Sequence, residues 1–263
     1  MNAIMGAVRR RPQATFWAIA WSTSWFGYAM SVRYPSDLWL LFIFGPFVGG
    51  ALVTGIVDGR RGLGTFFGRL ARWRVGARWY GVALLLPLAL RLAAFGLNVA
   101  SGAAIATDAS APDLRGVLLE SLVLSSLIAV AEEPGFRGFA LPRLLAGRSA
   151  VSASLILGIL HTVWHLPLLV AGEEPPVIVP IILSGAILIT WLFNHTGGSV
   201  LLAMLMHASV DVWVGVFNRL FAPADAAAQT VWLAGVYVAA AAVLVWRSGP
   251  ELGRPAGSTG RAS

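Results

Sequence analysis

An all-α polytopic membrane protein, with about eight transmembrane helices around a buried polar cavity, is the fold that three observations predict. Of 263 residues, 57% are hydrophobic and only 12% are charged, whereas an average soluble domain is about 25% charged; the mean hydropathy is +0.76. Apolar stretches repeatedly approach the 18–20 residues that a bilayer crossing requires. The basic residues, all of them arginine, gather in every second loop between those stretches.

The composition also excludes chemistries. Without cysteine there is no disulfide, thiolate metal site or cysteine nucleophile, and without lysine there is no Schiff-base chemistry. The net charge of +7 does not call for nucleic acid, because arginines between apolar runs are explained by topology.

Hydropathy places spans at about residues 15–32, 38–57, 79–100, 116–141, 150–171, 176–193, 199–221 and 230–246, within a transmembrane domain of 15–247. Residues 1–14 form a basic tail with Arg9, Arg10 and Arg11. The run after these arginines is long, lacks a clear small-residue cleavage site and is followed by further spans, so it reads as the first helix rather than a signal peptide. The loop after the second span holds Arg60, Arg61, Arg69, Arg72, Arg74 and Arg78, and interleaves them with Phe66, Phe67, Leu70 and Trp73. It fits either an amphipathic helix on the membrane surface or a solvated basic loop. Arg143, Arg148, Arg247, Arg254 and Arg261 fall on the same side of an eight-span chain. The opposite loops carry Arg33, Asp37, Asp108, Asp113, Arg115, Glu173, Glu174, Arg219 and Asp225. The positive-inside rule then puts both termini in the cytoplasm and makes the protein a multi-pass component of the plasma (inner) membrane. Residues 248–263, rich in Gly, Ser, Arg and Pro, are expected to be disordered.

Ionisable residues at membrane depth are costly and mark function. Here they are Arg91, Glu120, Glu132, Glu133, His161, His165, His207 and Asp211. Glu133 and Arg137 are four apart, as are His161 and His165, and His207 and Asp211, so each pair shares a helix face. At 1.5 Å per helical residue, Glu133 lies about 15 Å from the arginine-rich end of its span, His161 about 16 Å, His165 about 22 Å, His207 about 14 Å and Asp211 about 20 Å. One buried cavity can therefore hold them all, with Pro134 and Gly135 loosening the helix beside the carboxylates. Three chemistries fit: a divalent metal that activates water, a glutamate base without metal assisted by histidines, or a proton relay in a transporter. The lack of an internal repeat weighs against transport. Arg91 and Glu120 are expected to pair with each other, and Glu173–Glu174 to be a solvated charge pair in an outer loop.

Glu132-Glu133-x-x-x-Arg137, Trp164-His165-Leu166-Pro167 and His207-x-x-x-Asp211, in that order on three spans and flanked by Asn194-His195-Thr196-Gly197-Gly198-Ser199, resemble the CAAX protease and bacteriocin-processing family of intramembrane proteases. The resemblance covers a motif core of about residues 120–214. It implies an endopeptidase that cleaves a membrane-associated or prenylated-type peptide within the bilayer. Glu132 would be the base that activates water, His165 would position that water, and His207 and Asp211 would steady the oxyanion or substrate. Glu133 would join them in the site, with Arg137 and His161 in support. The implied cofactor is either none or a divalent metal such as zinc on Glu132, His165, His207 and Asp211. Two departures tilt toward the metal: His161 stands where the family has an aromatic residue, and Asp211 where Asn is common. The alternative is a non-catalytic membrane immunity or interaction protein on the same scaffold.

Overall fold

The structure is a computed structural model; residues 2–105 and 113–254 are described, so Asp108 and Arg261 lie outside the described residues. A short helix α1 (Asn2–Arg10) leads into α2 (Pro12–Arg33). A 3₁₀ segment (Asp37–Phe44) runs into α3 (Gly45–Leu70), followed by α4 (Ala77–Ala100) and α5 (Leu114–Glu133). A π-helical segment (Pro134–Ala140) and α6 (Leu141–Leu145) continue α5. Then come α7 (Ala150–Trp164), α8 (Leu166–Ala171), α9 (Ile178–His195), α10 (Val200–Asn218) and α11 (Pro223–Ser248).

Among the described residues, six segments are long and apolar enough to cross a membrane: Asp37–Leu70, Ala77–Ala100, Leu114–Leu145, Ile178–His195, Val200–Asn218 and Pro223–Ser248. This is an all-α polytopic membrane protein. The other two expected spans correspond to α2 and to α7. The latter stops at Trp164 rather than near 171, because Pro167 has no N–H for the carbonyl of Val163 and ends the helical ladder.

Contacts sort the helix ends into two faces. At one face Arg9 donates to Ile56 O, Gln13 to Ala140 O, Ser199 to Arg72 O and Arg254 to Leu145 O. At the other, Tyr28 donates to Glu173, Asn98 to Asp225 O and Trp232 to Ser101. The first face collects the arginine-rich loops. Glu120 pairs there with neither Arg91 nor any group of that face: it lies at the opposite end in an ion pair with Arg219, at 3.0 Å. The expected Arg91–Glu120 pair is therefore absent.

Three local features refine the linear reading. Residues 60–70 form a helix, one of the two expected alternatives, set off from residues 45–58 by a kink at Gly59, whose φ of 63° and ψ of −154° only glycine adopts without strain. Phe66 of this helix is buried, and Arg69 donates to Gly138 O at 3.0 Å. The N-terminal tail is helical through α1. Beyond α11, expected disorder gives way to packing: Leu252 is fully buried, Val151 N–H donates to Pro250 O, and Arg254 donates to Leu145 O and Arg148 O.

The conspicuous Asn194–Ser199 motif builds a turn. Gly197 and Gly198 both have positive φ, Thr196 Oγ1 donates to Leu192 O, and Ser199 Oγ accepts the N–H of Leu202 at the start of α10.

Candidate active site

Pro134 cannot continue the α5 ladder, and the chain widens there into seven residues with i→i+5 bonding, all of them buried. Gly135 allows this segment to press on α3. A Cβ at that position would stand 2.4 Å from Pro46 O, so close backbone approach, rather than looseness, is what the glycine provides. Carbonyls of the widened turn are met by side chains: Gln13 donates to Ala140 O, Arg69 to Gly138 O and Arg143 to Phe139 O. The result is a rigid platform that ends α5 with Glu132 and Glu133 pointing different ways.

Glu133 is fully buried. Its Oε1 accepts from Arg137 Nη1 at 2.7 Å and from His207 Nδ1 at 2.7 Å. A carboxylate is acceptor-only, so this bond places the Nδ1 proton on His207 and turns Nε2 toward the cavity. There, Nε2 lies 3.4 Å from Asp211 Oδ2 and 4.0 Å from Glu132 Oε2.

Glu132, 2% exposed, has no hydrogen-bond partner for Oε2 among the described residues. That oxygen is 3.2 Å from His161 Nε2, which in turn is 3.3 Å from His165 Nε2. His161, assigned a supporting place by its position in the sequence, thus sits between the candidate base and His165. Its ring lies against Phe136, with centroids 4.5 Å apart.

His165 stands at the break between α7 and α8. Two tryptophans of α2 hold that break: Trp21 Nε1 donates to Leu160 O and Trp25 Nε1 to Trp164 O, their rings stacked one helical turn apart. His165 Nδ1–H donates to Glu174 Oε2 at 2.8 Å, and Glu173 accepts from Tyr28. In the Glu173–Glu174 dipeptide Glu173 is exposed, as a solvated charge is, but Glu174 is half-buried against His165. One member orients a site histidine from a loop, a role that sequence reasoning missed; the Pro175-Pro176 turn behind it was the available signal.

Of the seven site residues all but Glu133 line one cavity of about 920 Å³: Glu132, Arg137, His161, His165, His207 and Asp211. It reaches Asp37, Glu120 and Arg219 at the arginine-poor face. Buried Phe136 and Phe139 close the other side.

The metal expectation meets a mixed geometry. Distances of 3.2 Å and 3.3 Å around His161 match the spacing of about 3.3 Å between donors on a tetrahedral ion with bonds near 2.0 Å. His207 Nε2 is too distant from Glu132, and among the described residues no three His, Asp or Glu side chains converge to hold an ion. No step below is routed through a metal.

Fold and site together define an integral, multi-pass membrane protein with a carboxylate–imidazole centre buried between its helices. Residues 114–213 match the model of the family described as type II CAAX prenyl endopeptidase, Rce1-like, and that stretch contains all three motifs on which the family resemblance rests. At family level the match is to a CAAX-type intramembrane protease. No curated protein matches the chain.

Proposed function

We propose that this protein is an intramembrane endopeptidase that hydrolyses a peptide bond of a membrane-associated or prenylated-type peptide, using water activated by Glu132. The supporting observation is that buried Glu132 lines the cavity beside three imidazoles with its Oε2 unbonded among the described residues, whereas Glu133 does not line it and has its Oε1 bound by both Arg137 and His207. A base needs a lone pair within reach of water, and of the two adjacent glutamates it is Glu132 that faces the cavity.

In this reading Glu132 takes a proton from water as the water oxygen adds to the scissile carbonyl carbon. His207, flanked by Glu133 at Nδ1 and Asp211 at Nε2, stabilises the oxygen that gains charge when it is doubly protonated and so presents Nε2–H. His161 and His165 orient the water, and Asp211 supports His207. The C–N bond then breaks, and the proton held by Glu132 passes to the leaving nitrogen. Positive-inside placement puts both termini in the cytoplasm of a plasma (inner) membrane.

Glu132→Gln preserves shape and removes the base. Membrane peptides compared between cells carrying wild type and this variant should show products that vanish in the variant, a loss of at least ~100-fold in cleavage. Unchanged cleavage overturns the assignment, and an unchanged immunity or binding phenotype in the variant identifies the non-catalytic alternative. Zinc or a similar ion as a cofactor is a second reading, favoured by the two 3.2–3.3 Å spacings around His161. It requires stoichiometric ion in purified protein that is lost in His165→Ala.

A further inference from the structure

The cavity that holds Glu132 is asymmetric between the two faces of the molecule. On one side of Glu132 its wall runs past Ser125 and Ser121 of α5 and Ser31 of α2, and ends among Asp37, Glu120 and Arg219, three exposed residues of the arginine-poor face. Glu120 and Glu132 both belong to α5, so this corridor is about 18 Å long, more than half of the roughly 30 Å hydrocarbon thickness. On the other side Phe136, Phe139, Ala140 and Leu141 are fully buried, and among the described residues no side chain of the arginine-rich loops lines the cavity. The π-helical platform is thus the floor, and the arginine-poor face is the mouth.

Charge fixes which way the mouth points. On the floor side Asp58 pairs with Arg143 and Glu251 with Arg254, and the other arginines of the loops remain in excess. On the mouth side Asp37, Asp113, Glu120, Glu173, Glu174 and Asp225 outnumber Arg33, Arg115 and Arg219. Loops with an arginine excess stay in the cytoplasm, so the floor faces inward and the mouth outward. Water follows the same route. The bilayer core is dry, and polar groups at that depth belong to water-filled cavities; the serine hydroxyls of the corridor lead water from the outer face to Glu132.

Resting on the endopeptidase reading, we propose that the active site is served from outside the cell: its substrate is an extracytoplasmic segment of a membrane-associated peptide, threaded through the corridor to Glu132. An extended chain covers about 3.3 Å per residue, so about five residues bridge the mouth and the base. Cleavage therefore needs a stretch of that length that can leave the outer surface. Translocation across the membrane is the step that must supply this substrate. A peptide retained in the cytoplasm meets the closed floor and does not reach Glu132, whatever modification it carries.

The chain contains no cysteine, so single-cysteine variants of the full-length protein report access without background from the chain itself. The positions are Ser31→Cys near the mouth, Ile128→Cys one helical turn from Glu132, and Arg74→Cys on the opposite face. Each is treated with a charged, membrane-impermeant methanethiosulfonate in intact cells and in inside-out vesicles. Ser31→Cys and Ile128→Cys should react in intact cells, and Arg74→Cys only in inside-out vesicles. Reaction of Ile128→Cys from the same side as Arg74→Cys, or reaction of Arg74→Cys in intact cells, overturns the proposal. So does a normally stable Ile128→Cys protein that reacts from neither side, because the corridor is then closed. Modification of Ile128→Cys in intact cells should stop cleavage, with the cysteine-free wild type unaffected by the same reagent. Peptide products that vanish in Glu132→Gln cells should map to outer-facing segments; products from cytoplasmic segments overturn the proposal. Outward labelling without any Glu132-dependent product counts against the endopeptidase reading alone.

Discussion

His165 and His207 are oriented by the same device, an Nδ1–H donated to a carboxylate, at 2.8 Å and 2.7 Å. The supports behind the two carboxylates differ. Glu133 is fully buried at the end of α5, beside the π-helical turn, and is held a second time by Arg137. Glu174 lies in the loop between α8 and α9, its side chain 28% exposed, and the break that presents His165 is clamped from another helix by Trp21 and Trp25. One half of the site is thus preorganised by buried charge, where a missing partner is expensive. The other is assembled at a helix break, where water reaches the supporting carboxylate. We read the first as the fixed oxyanion side and the second as the side that adjusts when substrate enters.

The sharpest way to break that comparison is Glu133→Gln. It leaves the Arg137 guanidinium buried without its counter-charge, a destabilisation of about 3–5 kcal/mol, and replaces the acceptor-only carboxylate that fixes the His207 tautomer with a neutral amide that can turn either its oxygen or its NH2 to the ring. Thermal unfolding in detergent should fall sharply and activity should drop by at least ~100-fold. Adding Arg137→Met to that variant should recover most of the stability and none of the activity. Recovery of both would mean that Glu133 serves only as Arg137's partner and that the buried half is scaffold.

Much of this half was legible in the sequence, because polar side chains inside apolar runs stand out, and helical spacing pairs them. Glu132, His165, His207 and Asp211 do line one cavity, with Glu133 bonded to His207 behind it, and the motif order points to the family whose model matches residues 114–213. What was not legible depends on side chains that one-dimensional hydropathy misreads. Trp21 and Trp25 count as apolar, yet their indole N–H groups supply the donors at the α7 break. Glu174 counts as loop charge because nothing local to it says that the chain folds back onto His165. Arg91 and Glu120 are opposite charges on nearby spans, and pairing them ignored Arg219, which lies 99 residues from Glu120 in sequence. The packed residues 249–254 were hidden by a composition rich in Gly, Pro and Arg, since burial of one side chain, Leu252, does not register in an average.

Trp25→Phe probes the adjustable half with an intermediate effect. The ring stays, but the donor to Trp164 O is lost, leaving a carbonyl at the helix break without that partner at a cost of about 1–3 kcal/mol. The expected consequence is faster hydrogen exchange in α8 and the loop after it, with little change around the π-helical platform. Equal loosening of both regions would show that the two halves unfold as one unit and that the distinction drawn here is only geometric.

The smallest effect is expected at Glu174→Gln. The amide retains a carbonyl oxygen able to accept the Nδ1–H of His165, so the hydrogen bond survives while its charge is lost. For a pair open to water this is worth about 1 kcal/mol or less, or about fivefold in kcat/KM. Because the pair is partly exposed, high salt should reduce the difference between wild type and variant, whereas the Glu133→Gln defect, screened from solvent, should not respond. A Glu174→Gln loss as deep as that of Glu133→Gln, and equally indifferent to salt, would place both carboxylates in the same category of support. It would move His165 from the adjustable side of the site to the fixed one.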